Sequence, residues 1–127
     1  MILLILNPGC TKSKFTDQRW TIEQANEWAS TNGWLRGSDF IPSTAINQLE
    51  MWQAATFDSV TIDRELGYAG SIGFNVMRVY LHHKAWTQDM TGFRDRLNKY
   101  LRIASKHNIK TIAFPSIATG GYLFPIE

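Results

Sequence analysis

The sequence predicts an α/β fold, a parallel sheet built from βαβ units. Three observations carry that reading. Residues 75–81 (NVMRVYL) and 110–114 (KTIAF) are short apolar runs rich in β-branched and aromatic side chains, the composition of strands. Between them, residues 91–107 place Phe93, Leu97, Tyr100, Leu101 and Ala104 at helical spacing. A second helical stretch precedes the first run, and an extended segment precedes that. Strand, helix, strand, helix, strand in this order is the pattern of right-handed crossovers.

Each element has its own local cause. Residues 21–31 form a helix in which Thr21 caps, Glu23 and Glu27 lie early, and Asn32-Gly33 supplies a left-handed stop. Residues 34–43 (WLRGSDFIPS) read as extended, because Pro42 forbids a helix through them. Residues 45–53 have the length for a turn or two of helix. From Asp58 or Ser59 a helix follows, with Ile62, Leu66, Ala69 and Ile72 on its inward stripe and Gly73 as its end. Asn108 closes the 91–107 helix, and Pro115 ends the strand after it.

Length and composition narrow the class. The chain of 127 residues is one domain long, 44% hydrophobic and 19% charged, so it is neither disordered nor collagen-like. Its net charge of +2, with the basic residues scattered, argues against nucleic acid as the main partner. Five Trp, seven Phe and four Tyr suit a carbohydrate-stacking surface as well as a core. One cysteine, Cys10, excludes an internal disulfide framework and a multi-cysteine zinc site. No apolar run approaches the roughly 20 residues that span a bilayer.

The first residues admit two readings. Residues 1–10 (MILLILNPGC) followed by a polar stretch look like the end of a truncated lipoprotein signal, with Cys10 as the lipidated residue. The other reading is a buried first strand, residues 2–6, ended by Asn7-Pro8-Gly9. The expected organisation is therefore a leader or first strand over residues 1–14 and a single α/β domain over 15–127. Localisation follows the leader: cell envelope or secreted if it is a signal, cytoplasmic otherwise.

Four groups of residues invite functional readings. His82-His83, as neighbours at a strand end, point to opposite faces, so no metal site and no cofactor are expected there. His107, in the last helical turn, is a favourable charge at the negative pole. Gly67, Gly70 and Gly73 lack a preceding strand, so close helix packing and a helix stop explain them better than a phosphate loop. Arg78 lies in the middle of an apolar strand and needs either a solvated rim or an acidic partner. Residues 37–53 are dense in amides and aromatics just after a strand, and Asn47, Gln48 and Trp52 have the side chains that bind and stack sugars.

Residues 34–83, with FIPSTAINQLEMW, TIDRELG and GFN-x-MRVYLH, resemble the start of cellulase-like (β/α)8-barrel glycoside hydrolases. The resemblance extends over residues 19–110. It implies that the chain forms the first strands and helices of a barrel, since a complete one needs about 200 residues or more. It also implies a β-glycan substrate, Arg78 supporting the nucleophile, and a sugar cleft lined by Asp39, Asn47, Gln48, Trp52, His82, His83 and Trp86. Such retaining enzymes draw two carboxylates from later strands, so this chain carries no catalytic residue of its own. Asp63 and Glu65 read as solvated helix positions.

Residues 111–126 (TIAFPSIATGGYLFPI) resemble a different family, the macro domain, which binds ADP-ribose. By that resemblance Ser116, Ala118, Thr119, Gly120, Gly121 and Tyr122 form the loop that cradles the diphosphate and packs the distal ribose. The two resemblances together suggest a chimaera or fragment: part of a glycoside hydrolase or, as the alternative, an ADP-ribose-binding module. An open parallel sheet of so few strands leaves edges and a face uncovered, so self-association is expected.

Overall fold

The computed structural model describes residues 19–115. The chain divides into two units, Met1–Gly33 and Trp34–Glu127. In the first, helix α1 (Ile22–Asn32) begins at a capping box: the Thr21 hydroxyl accepts from the Gln24 N–H, and the Gln24 side chain accepts from the Thr21 N–H. Gly33 closes it at φ 63°. No residue of α1 is buried, and the indoles of Trp20 and Trp28 pack on each other with centroids 6.1 Å apart.

The second unit is the α/β body. Its sheet has the order β1-β2-β3, all parallel: β1 is Gly37–Asp39, β2 is Val76–Leu81 and β3 is Lys110–Pro115. Gly37 pairs with Val76 and Asp39 with Arg78, while Val76 pairs with Lys110 and Leu81 with Pro115. Of the expected extended segment 34–43, only three residues enter the sheet. Pro115, expected to stop the last strand, is its final residue; among the described residues β3 is an edge strand, where a proline is tolerated.

Four described helices accompany these strands. The short α2 (Gln48–Trp52) starts at Asn47, whose side chain accepts from the N–H groups of Leu49 and Glu50. Asp58 caps α3 (Ser59–Ser71) and Asp89 caps α5 (Met90–Lys106) in the same way. A further helix, α4 (His83–Gln88), occupies the stretch expected to be a strand end.

The core lies on one side of the sheet. Met77 and Val79 of β2 meet Ile62, Leu66 and Ala69 of α3 and Phe93, Tyr100 and Ala104 of α5. Trp52, 0% exposed, fills the centre, with its ring beside Phe57, Phe93 and Tyr100. The inward stripes are those the periodicity gives, with two exceptions. Ile72 is 72% exposed because α3 ends at Ser71 and the chain turns through Gly73 at φ 92°. Leu101 is 40% exposed at the margin of the α5 stripe.

The alternate residues of the same strands point the other way. Asp39, Arg78, Tyr80, Ile112 and Phe114 make up a sheet face on which the charges and rings touch one another and the apolar side chains stay half-exposed.

Candidate functional site

Two places gather the chemistry: the open sheet face and the C-terminal ends of the strands. On the open face, register puts Asp39 directly beside Arg78. The guanidinium grips the carboxylate in a two-pronged pair, Nε to Oδ1 and Nη2 to Oδ2, the latter at 2.6 Å. Its carbon lies 5.3 Å from the centre of the Tyr80 ring and 5.6 Å from that of Phe114. The hydrogen bonds from Arg78 hold the Asp39 carboxyl below the usual carboxylate range, and Asp39 raises Arg78 in turn. A shallow cavity of about 320 Å³ lies along this face beside Gly37, Val76 and Ile112. Arg78 therefore has the acidic partner its place in the strand demands.

At the strand ends, Leu81 and Pro115 stand at the same level. Parallel sheets bind ligands beyond this edge, where successive loops converge. After β2 the chain enters α4 through His82, whose Nδ1 accepts from the Lys84 N–H at 3.2 Å. Burial, then the neighbouring Lys84 and His83, push the His82 imidazole below its ordinary pKa. His82 is thus a helix cap and His83 the first residue of a helix, so the strand geometry expected for the pair does not apply. After β3 the chain enters the segment that holds Ser116, Ala118, Thr119, Gly120, Gly121 and Tyr122, all outside the described residues.

The residues expected to line a sugar cleft are dispersed. Asn47 spends its side-chain oxygen on capping α2, and Gln48 is half-buried in the first turn. Trp52 presents no free ring face: it is enclosed in the core and its indole N–H donates to the Tyr80 carbonyl at 2.7 Å. Trp86 is half-buried, its ring edge-on to Phe93 at 5.8 Å. Of this set, Asp39 meets Arg78.

Several polar contacts were not foreseen. Asp63, expected to be solvated, accepts from Lys106 at 2.8 Å and meets His107 Nε2 at 2.6 Å, and these hydrogen bonds, Lys106 first, lower its pKa. His107 therefore ties α5 to α3 rather than acting on its own helix pole alone. Gly67 and Gly70 make the room for it: a Cβ on either would come within 3.2 Å of His107 atoms. Glu65, also expected to be solvated, accepts from the Ser43 N–H and hydroxyl. Arg96 donates to the Trp52 carbonyl at 2.6 Å and to Asp89 at 3.1 Å. These partners are 22 to 44 residues apart except for Asp89, which is seven away, so no local signal announces them. Among the described residues no three His, Cys, Asp or Glu side chains cluster as a metal would need, and no helix is long and apolar enough to cross a membrane.

Comparison with known proteins bears on the second half of the chain. The macro domain family profile matches residues 74–127, a range that takes in β2, α4, α5, β3 and the segment after it. A macro domain-containing protein of Caldanaerobacter subterraneus subsp. tengcongensis is 63% identical over 27 residues, which is 21% of this chain and 15% of that protein. No solved structure matches. The macro domain similarity thus begins well upstream of residue 111, where the sequence motif alone placed it, and includes the strand and helices assigned above to the barrel resemblance. The matches bear on the macro domain resemblance, and none of them supports the glycoside hydrolase one.

Proposed function

We propose that residues 74–127 form a macro-domain-like module that binds ADP-ribose through the loop following β3. The observation that carries this reading is the profile match over the whole β2–α4–α5–β3 range together with the motif IAFPSIATGGY at its end. The physical argument is simple. A strand running in parallel with its neighbour delivers the loop to the ligand-binding edge of the sheet, and Thr119-Gly120-Gly121 offers backbone N–H groups with no bulky side chain between them and a diphosphate. Tyr122 then supplies a ring to pack on a ribose.

A second reading rests on strand order. Three consecutive parallel strands in the order β1-β2-β3, with an arginine on the second, are also what the start of a barrel glycoside hydrolase would present. In that reading the open sheet face is barrel interior and Arg78 holds a carboxylate ionised, as it does Asp39.

Titration calorimetry of the full chain, against ADP-ribose and separately against a β-linked glucan oligosaccharide, distinguishes the two. The expected result is heat with ADP-ribose that Gly120→Glu abolishes, because a carboxylate placed in the loop repels the diphosphate. Absence of that heat, or heat indifferent to Gly120→Glu, rejects the macro-domain reading. Heat with the oligosaccharide that Arg78→Met removes would favour the second.

A further inference from the structure

The open face of the sheet has the chemistry of an interface rather than of a solvated surface. Its rings and aliphatic side chains are contiguous across two strands: Tyr80 and Phe114 lie 5.9 Å apart, with Ile112 alongside, and Ile112 and Phe114 are 43% and 45% exposed. At its centre stand one anion and one cation, Asp39 and Arg78, each about half-exposed at the side chain. The pairing on this face selects among occupants. A purely apolar segment laid across it would bury an ion pair whose outer lone pairs and N–H groups then lose water without replacement. An anionic ligand would meet Asp39, and a cationic one Arg78. A surface with adjacent charges of opposite sign is complementary to itself, because a two-fold axis between them sets each charge of one copy against its opposite in the other.

We propose that this face, formed by Asp39, Arg78, Tyr80, Ile112 and Phe114, is the contact surface between two copies of the chain. Each Asp39 faces the Arg78 of the second copy and closes a ring of four charges, and the Tyr80, Ile112 and Phe114 patches cover one another. The ring gives every carboxylate a second guanidinium, so the charges keep partners when water leaves. Lys110, at the start of β3 and exposed, stays at the solvated rim. This interface is independent of the ligand loop proposed above, since it uses the sheet face and not the strand ends.

A charge-exchange experiment tests it on the full chain. Sedimentation velocity over rising concentration should show a dimer for the unaltered chain. Asp39→Arg and Arg78→Asp should each weaken the dimer by about tenfold or more, since each homodimer would then set like charges together. An equimolar mixture of the two variants should dimerise again, because the arginines of one copy meet the aspartates of the other. Phe114→Ala should also weaken association, because it removes apolar contact area and places no new charge beside Arg78. Both charged positions are half-exposed, and circular dichroism establishes that each variant keeps the fold. The proposal is overturned by a monomer at all concentrations, by a dimer that ignores both charge reversals, or by a mixture that stays monomeric.

Discussion

One strand, β2, supplies both faces of the sheet, and its alternate residues live under opposite rules. Met77 and Val79 point into a layer closed by α3, α5 and Trp52, where they are 3% and 0% exposed. Arg78 and Tyr80 point to the side where rings, a guanidinium and a carboxylate lean on one another at half exposure. The backbone bonding is common to both, so the difference lies in water. On the covered side, apolar area removed from solvent supplies the stability, at roughly 25 cal/mol per Å². On the open side the contacts within one chain are a salt-screened ion pair and rings that stay half in water, and each is weak. Substitutions should therefore have large effects on one face and small ones on the other.

The largest effect belongs to Trp52. Replacing it by Ala removes the ring that Phe57, Phe93 and Tyr100 pack against, and leaves the Tyr80 carbonyl without its indole donor. A large aromatic truncated in a closed core costs about 3–5 kcal/mol. Urea unfolding followed by far-ultraviolet circular dichroism should show that loss. A change of less than about 1 kcal/mol would mean that the covered layer is loosely packed, and the contrast between the faces would collapse.

A second effect is confined to alkaline pH. Among the described residues the Tyr100 hydroxyl and the Thr111 hydroxyl are both buried without a hydrogen-bond partner of acceptable geometry, and burial pushes the Tyr100 phenol up to about 12. The nearby Thr111 hydroxyl pulls slightly in the other direction, but it lies outside bonding geometry and the burial dominates. The unfolded chain loses this proton near pH 10 and the folded one about two units later. Stability is therefore full below pH 10 and declines as pH rises from 10 towards 12, by roughly 2–3 kcal/mol in total. Tyr100→Phe should flatten that decline while leaving neutral-pH stability equal or slightly higher, since an unpartnered buried hydroxyl is removed. A thermal-melt series between pH 8 and 12 that slopes identically in both proteins would place the phenol in contact with water.

How much of this was legible in the sequence follows from the same contrast. β2 and β3 were plain because each is a short run rich in β-branched and aromatic side chains, and α3 and α5 because their stripes recur at helical spacing, with Asp58 a ready cap for α3. β1 shrank to three residues because its length is set by pairing with β2, which no local pattern records. Helix α4 escaped notice for a different reason: it is six residues long, with only Ala85 and Trp86 apolar at its centre, and His82 is not among the usual capping residues. Trp52 shows the limit on sites. Its residue type suits a sugar platform and a core equally, and only the surrounding rings, 5 to 48 residues away along the chain, decide for the core. Asp39 and Arg78 were each singled out, but their meeting depends on parallel register across 39 residues. The motif at residues 116–122 was legible as sequence, and it is there that the family similarity and the motif agree.

The smallest effect lies on the open face, and it sharpens the comparison most. The bidentate hydrogen bonds from Arg78 hold the Asp39 carboxyl below its ordinary range. A depressed carboxyl contributes stability that is present above the unfolded pKa, about 3.9, and is lost as pH falls through the lower folded value. Because both side chains are half in water, that contribution is small and salt should reduce it further. The carboxyl titration itself is the sensitive readout. Followed by carbon-13 NMR, the Asp39 carboxyl should titrate below the ordinary aspartate value at low ionic strength and move up towards that value in Arg78→Met. The same shift should persist in Phe114→Ala, because the pair forms within one chain and does not need a second copy. If Asp39 stayed depressed in Arg78→Met, some other donor would be holding it, and the open face would be more enclosed than the exposure of its side chains indicates.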